Sequence, residues 1–77
     1  MLKNMLEVIV QGLVDDPTQV RVDEVEDSEG VTYQVTVAEN DLGKVIGKDG
    51  RIANALRSLA RSVAAQDDRW ARVEIMS

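Results

Sequence analysis

Cysteine, histidine and phenylalanine are absent from the 77 residues, and the aromatic complement is one tyrosine and one tryptophan. Without cysteine there is neither a disulfide nor a thiolate nucleophile, and without histidine the imidazole base and the usual zinc ligands go as well. No set of nucleophile, base and orienting group can be assembled from what remains, so the expectation is a protein that is not an enzyme. Long hydrophobic runs are also missing. The most apolar stretch, Leu6 to Val14, is interrupted by Glu7, Gln11 and Gly12, far short of the roughly 20 residues that span a bilayer. The N-terminus lacks a cationic region followed by a cleavage pattern. A soluble, cytoplasmic protein with no membrane association is expected.

What is present is globular: hydrophobic residues make up 44% and charged residues 30%, unlike the depleted, highly charged makeup of disordered chains. A chain this short buries only about 60% of its unfolded surface, so it forms one domain with a marginal core that self-association or a partner would help. The formal charge of −5 is unevenly spread. Residues 1–41 carry 2 cations against 10 anions, residues 42–63 carry 5 against 1, and residues 64–77 carry 2 against 3. Phosphate contacts depend on summed positive potential, which makes this a poor indiscriminate polyanion binder but leaves room for a local basic site in the middle.

Periodicity sets the order of elements. Leu2, Leu6, Ile9 and Leu13 follow helical spacing, with the helix ending between Gly12 and Asp15 because Asp15-Asp16-Pro17 proposes a turn. Val20 and Val22, then Val31, Tyr33, Val35 and Val37, alternate as two strands joined by a turn at Asp27-Ser28-Glu29-Gly30, an antiparallel hairpin. Val25 breaks the alternation and predicts a bulge or frayed register. Asn40 or Asp41 is placed to cap a short helix running to about Ile46. After GKDG a longer helix follows, with Ile52, Leu56, Leu59 and Val63 on one face, Ala53, Ala55 and Ala60 beside them, and Arg57 and Arg61 pointing away. Ala71, Val73 and Ile75 alternate in a third strand. The fold class is α+β in two layers, helices covering one face of the sheet.

The stretch GKVIGKDGRI at 43–52 holds three of the five glycines. It fails the phosphate-loop pattern, since Gly43 and Gly47 enclose three residues and Lys48 is followed by Asp49. It also fails the dinucleotide pattern at its first glycine pair. Its context is more informative than its spacing. Glycines at a helix-helix junction let a phosphodiester approach the main chain, N–H groups at the start of the second helix favour an anion, and Lys48 and Arg51 supply counter-charge. The plain alternative is a helix-helix turn that uses glycine for positive φ.

The run VIGKDGRIANALRSL resembles the signature of the KH (K-homology) RNA-binding domain, which clamps about four nucleotides against a GXXG loop. The element order is similar to the type II, prokaryotic arrangement over essentially the whole chain. Short length, acidic balance and GKVIGKDGR resemble the small stand-alone bacterial KH proteins of the KhpA (YlqC) type. The resemblance implies a single type II KH domain over 1–77, of order α-β-β-α-α-β, with a three-stranded mixed sheet covered on one face by three helices. It implies non-catalytic binding of short single-stranded RNA, as a cytoplasmic RNA-regulatory or RNA-chaperone protein linked to cell elongation and division. It also implies a homodimer, or a complex with a larger KH protein of the KhpB (Jag, EloR) type, and no cofactor or metal.

Carried over by position, Gly47, Lys48, Asp49 and Gly50 form the GXXG loop, Lys44 and Arg51 flank it as phosphate contacts, and Val45, Ile46, Ile52 and Ala53 line the start of an apolar groove under the bases. Asp49 sets an anion inside the loop. The third position after Gly50 is Ala53, where many KH domains carry an aliphatic residue. With only Tyr33 and Trp70 available, recognition by successive stacking, as on RRM or OB surfaces, is not expected. The rival reading is a protein-interaction module that keeps the fold with little RNA affinity. Arg57 and Arg61 read as solvated, Ile52 as a packed residue and Trp70 as a core-edge residue. The acidic run from Asp23 to Glu29 lacks EF-hand spacing and reads as a solvated hairpin tip.

Overall fold

The alternation of Val31, Tyr33 and Val35 organises the domain. In the computed structural model, which describes all 77 residues, these three side chains are buried on one face of β2 (Val31–Thr36). On one side β2 pairs antiparallel with β1 (Arg21–Glu26), and on the other it pairs parallel with β3 (Ala71–Met76). The sheet order is therefore β1-β2-β3, a mixed sheet with β2 in the centre. The registers align the helix-side face in rows: Val22, Val35 and Ile75, then Glu24, Tyr33 and Val73, then Glu26, Val31 and Ala71. Burial and the neighbouring Glu24 carboxylate push the Tyr33 phenol up to about 12, so it stays neutral as a core residue.

Three helices cover that face. In α1 (Leu2–Leu13) the buried residues are Leu2, Leu6 and Val10, with Met5 and Ile9 partly buried beside them. A short α2 (Leu42–Ile46) buries Val45, and a long α3 (Arg51–Ala65) buries Ala53, Leu56, Ala60 and Ala64. The contact face of α3 is thus turned toward its alanines, while Ile52, Leu59 and Val63 lie half-buried on one flank. Small side chains at the centre let the helix axis sit close to the sheet, and the bulkier residues fill the wedge beside it.

No bulge forms at Val25. Strands β1 and β2 pair residue for residue from Arg21 opposite Thr36 to Glu26 opposite Val31. The alternation changes because the end of the edge strand β1 stays exposed: Glu24 and Glu26 are on the inner face there yet exposed, and Val25 lies on the open face, 46% exposed. The turn is held by the Asp27 carboxylate, which accepts from the N–H groups of Glu29 at 2.8 Å and Gly30 at 3.0 Å.

Gly30 is required by proximity to the neighbouring chain at the same end of the sheet. At φ 153° its backbone lies so close to the chain entering β3 that an added Cβ would stand 2.1 Å from the carbonyl oxygen of Trp70. Gly12, near the end of α1, has no atom within 4 Å of such a Cβ. Gly30→Ala is expected to destabilise the domain by about 2–3 kcal/mol, and Gly12→Ala to stabilise it by about 0.5–1 kcal/mol, both measured by urea unfolding.

Candidate nucleic-acid interface

Parallel pairing of β2 with β3 obliges the chain to cross over between them, and the crossover consists of α2, a corner at 47–50 and α3. Gly47 ends α2 by donating its N–H to Gly43 O at 2.9 Å and turning the chain at φ 78°. A side chain there would place its Cβ 2.7 Å from Ile52 Cγ1. The corner closes with Gly50 N–H donating to Gly47 O at 3.2 Å. Asp49 (φ 57°) and Gly50 (φ 74°) are both left-handed, and Arg51 returns to the right-handed helical region. Aspartate is among the few residues that accept such a conformation readily. Turns of this kind expose successive N–H groups on one side, and no side chain caps the start of α3.

Lys48, Asp49 and Arg51 are exposed at this corner, with Ile46 37% exposed beside them. Ile52 is half-buried against Gly47. Val45 and Ala53 are different: at 0% and 3% exposure they belong to the interior and support the corner from below, offering no surface to a ligand. The inward sides of α2 and α3 take both.

Lys44 is also placed differently from a simple phosphate contact. Its ammonium donates to the Asp15 carboxylate and, at 3.4 Å, to Asp41 Oδ1, which ties it to the α1–β1 connection. Asp41 occupies the position before α2, but its carboxylate does not cap that helix. Instead it is 2% exposed and accepts from Asp15 N–H at 3.1 Å and Asp16 N–H at 3.0 Å. The Asp15 peptide N–H, with Asp16 and Lys44 adding to it, holds Asp41 below the ordinary carboxylate range despite burial. The Asp15 carboxylate beside it, with a smaller contribution from Asp41, raises the Lys44 ammonium.

Along α3, Arg57 Nε donates to Val73 O at 3.4 Å and its Nη1 to Asn54 Oδ1 at 3.2 Å. Arg61 lies over the Trp70 ring, 5.5 Å from its centroid. Neither arginine is merely solvated. The sequence signal that finds them is their spacing with Asn54, which puts the three residues on one flank of α3, toward β3. No group of three or more His, Cys, Asp or Glu side chains is arranged to hold a metal ion, and no helix is long and apolar enough to cross a membrane. The one cavity, about 150 Å³, lies between the start of α1 and the hairpin end, among Leu2, Tyr33 and Val63, and includes no residue of the corner.

The family model described as "KhpA/KhpB, KH domain" matches residues 3–75. The chain belongs to the KhpA/KhpB KH-domain family. Among relatives, the RNA-binding protein KhpA of Chlamydia trachomatis serovar D is 44% identical over 75 residues, covering 97% of this chain and 96% of that protein. Among solved structures, Era from Aquifex aeolicus, bound to GDP and AlF4−, superposes with a TM-score of 0.71 at 18% identity, over 97% of this chain and 30% of that one. Era in complex with MgGDPNP and nucleotides 1506–1542 of 16S ribosomal RNA gives a TM-score of 0.68 at 20% identity, over 97% of this chain and 29% of that one. At such identities the Era matches bear on the fold alone, and they agree with the α+β, mixed-sheet architecture of the KhpA/KhpB family member described above.

The Asp41 cluster makes stability depend on pH in a defined direction. A carboxylate whose folded pKa is depressed contributes stability above its ordinary value, near 3.8, and loses it as pH falls through the folded value. The raised Lys44 contributes below its ordinary value, near 10.5, and loses its contribution as pH rises through the folded value. Asp41→Asn is therefore expected to lower the urea midpoint at neutral pH, with the gap to the parent protein shrinking as the pH falls below 3.8.

Proposed function

We propose that this chain is a non-catalytic binder of short single-stranded RNA, gripping the phosphodiester at the Gly47–Gly50 corner and laying bases along α3 and the edge of β3. One observation carries the reading. Outside residues 42–63, Arg21, Arg69 and Arg72 are each engaged by a carboxylate, Lys3 being the exception. Within 42–63, Lys44 is engaged, while Lys48, Arg51, Arg57 and Arg61 have no carboxylate within 4.0 Å. In a chain with 14 acidic and 9 basic residues, leaving four cations unpaired on one element and its entry concentrates positive potential there. The name of the Chlamydia trachomatis relative, an RNA-binding protein, supports the choice of RNA.

The flanking phosphate contacts are assigned to Lys48 and Arg51, with Ile46 and Ile52 as the apolar start of the groove. Gly47 and Gly50 serve by their backbone conformation, and Asp49 moderates affinity. Lys44 contributes only after giving up Asp15, and Val45 and Ala53 act as support. The proposed setting is the cytoplasm, with RNA-regulatory or RNA-chaperone work carried out as a homodimer or with a larger KhpB-type KH protein. Val8 on the outer side of α1, 68% exposed, and Leu13, 36% exposed, support an apolar contact of this kind. They also favour the second reading, a protein-interaction module with little RNA affinity.

Two substitutions of opposite sign test the loop. Lys48→Asp keeps both glycines and is expected to weaken binding of short single-stranded RNA at least about tenfold, while the salt slope falls by about one phosphate contact. Asp49→Asn preserves a residue that tolerates the left-handed conformation and removes the anion, and is expected to tighten binding about threefold at low salt. Fluorescence polarisation with labelled RNA measures both. Unchanged affinity in Lys48→Asp, with the fold intact by circular dichroism, excludes the loop reading and leaves the interaction module.

A further inference from the structure

Trp70 is half exposed, at 50%, in a chain whose only other aromatic residue, Tyr33, is buried. Its backbone is fixed on the side of β2. The Trp70 carbonyl accepts from Val31 N–H at 2.9 Å and lies against Gly30. The Arg61 guanidinium stands over the ring, so an amphipathic platform is held at the start of β3 by a rigid strand end.

Its position continues the groove. Arg57 meets Val73 and Arg61 meets Trp70, so rising numbers on α3 correspond to falling numbers on β3, and the two elements run antiparallel away from the corner. Arg61 lies 11 residues beyond Gly50, about 16 Å along a helix at 1.5 Å per residue. That is about five nucleotides of stacked strand at ~3.4 Å each, just past the roughly four nucleotides a GXXG loop holds.

Val73 O, the carbonyl that Arg57 occupies, lies on the free side of β3. Val31 N–H bonds Trp70 O and Val37 N–H bonds Met76 O, so the even-numbered peptides of β3 turn inward to β2 and the odd-numbered ones face outward. The exposed Asp67 and Asp68 precede the tryptophan. Anions there oppose a phosphate and leave the uncharged face of a base as the partner that fits the ring.

We propose that Trp70, backed by Arg61, is a stacking subsite for one RNA base beyond those held near the Gly47–Gly50 loop, so that the binding track runs the length of α3. The assignment rests on the RNA-binding reading above. It adds a residue far from the loop, and stacking on a fixed indole is tolerant of base identity.

The test compares mixed-sequence single-stranded RNA 4-mers and 8-mers on the full chain and on Trp70→Ala, Trp70→Phe and Arg61→Ala. Trp70 is the only tryptophan, so its fluorescence reports its own contact with a base. The 8-mer is expected to quench it and the 4-mer to leave it nearly unchanged. Trp70→Ala is expected to bind the 4-mer like the parent and the 8-mer about tenfold more weakly. Trp70→Phe should retain most of the difference and Arg61→Ala should lose part of it. The statistical gain of a longer RNA from extra registers is common to all variants and cancels in the comparison.

Full 8-mer affinity in Trp70→Ala, or 8-mer binding by the parent without quenching, overturns the subsite while leaving the loop reading standing. Binding of neither RNA by the parent overturns both. Should Trp70→Ala fail to fold, quenching in the parent and the Trp70→Phe comparison still decide.

Discussion

The parallel pairing of β2 with β3 is the constraint on which the rest of the structure depends. An antiparallel pair closes with a few residues, whereas a parallel pair demands that the chain travel back the length of the strand before it can pair again. Here the return is made by α3, whose 15 residues span about 22 Å, close to the reach of a six-residue strand. To start that return, the chain must reverse sharply after α2, and the reversal is the Gly47–Gly50 corner with its left-handed residues. The glycine-rich turn is thus a topological necessity first. Its exposed N–H groups and unpaired cations are what the sequence adds to the necessity.

Placement of that corner relative to the rest of the domain falls to Asp41. One buried carboxylate gathers two peptide N–H groups from the connection between α1 and β1 and sits beside the ammonium of Lys44. A buried carboxylate without such partners is costly, whereas one with two peptide donors and a cation is satisfied. The cluster therefore pins α2 to the N-terminal helix and strand, and the corner inherits that position. The same contacts engage the Lys44 ammonium, so the basic segment divides into one cation used for structure and four without a carboxylate partner.

Much of this was legible in the chain itself. The stripe of Leu2, Leu6 and Ile9, the strict alternation from Val31 to Val37 and the pattern of Ala71, Val73 and Ile75 each record one covered face, and each element formed where they stand. What the chain does not show locally is a residue's surroundings that come from distant parts of it. Asp41 looked like a helix cap because the N–H groups it binds lie 25 and 26 residues away. The face of α3 was assigned by its largest apolar residues, although close approach to a sheet favours Ala53, Ala60 and Ala64. Val25 suggested a bulge because nothing local reveals that the end of β1 stays exposed, so that Glu24 and Glu26 can stand on the inner face. Arg57 and Arg61 read as solvated since their partners, Val73 and Trp70, become neighbours only once α3 lies along β3.

The central claim is that the corner at 47–50 and the α3–β3 side of the domain form one continuous surface for single-stranded RNA. Amide chemical-shift mapping of the labelled protein during titration with a pool of short single-stranded RNA, first at low and then at moderate salt, tests it most directly. The account predicts shifts concentrated at residues 46–61 and 70–75, weakening as salt rises. Shifts confined to the outer side of α1 or to the open face of the sheet, or none even at low salt, would contradict it.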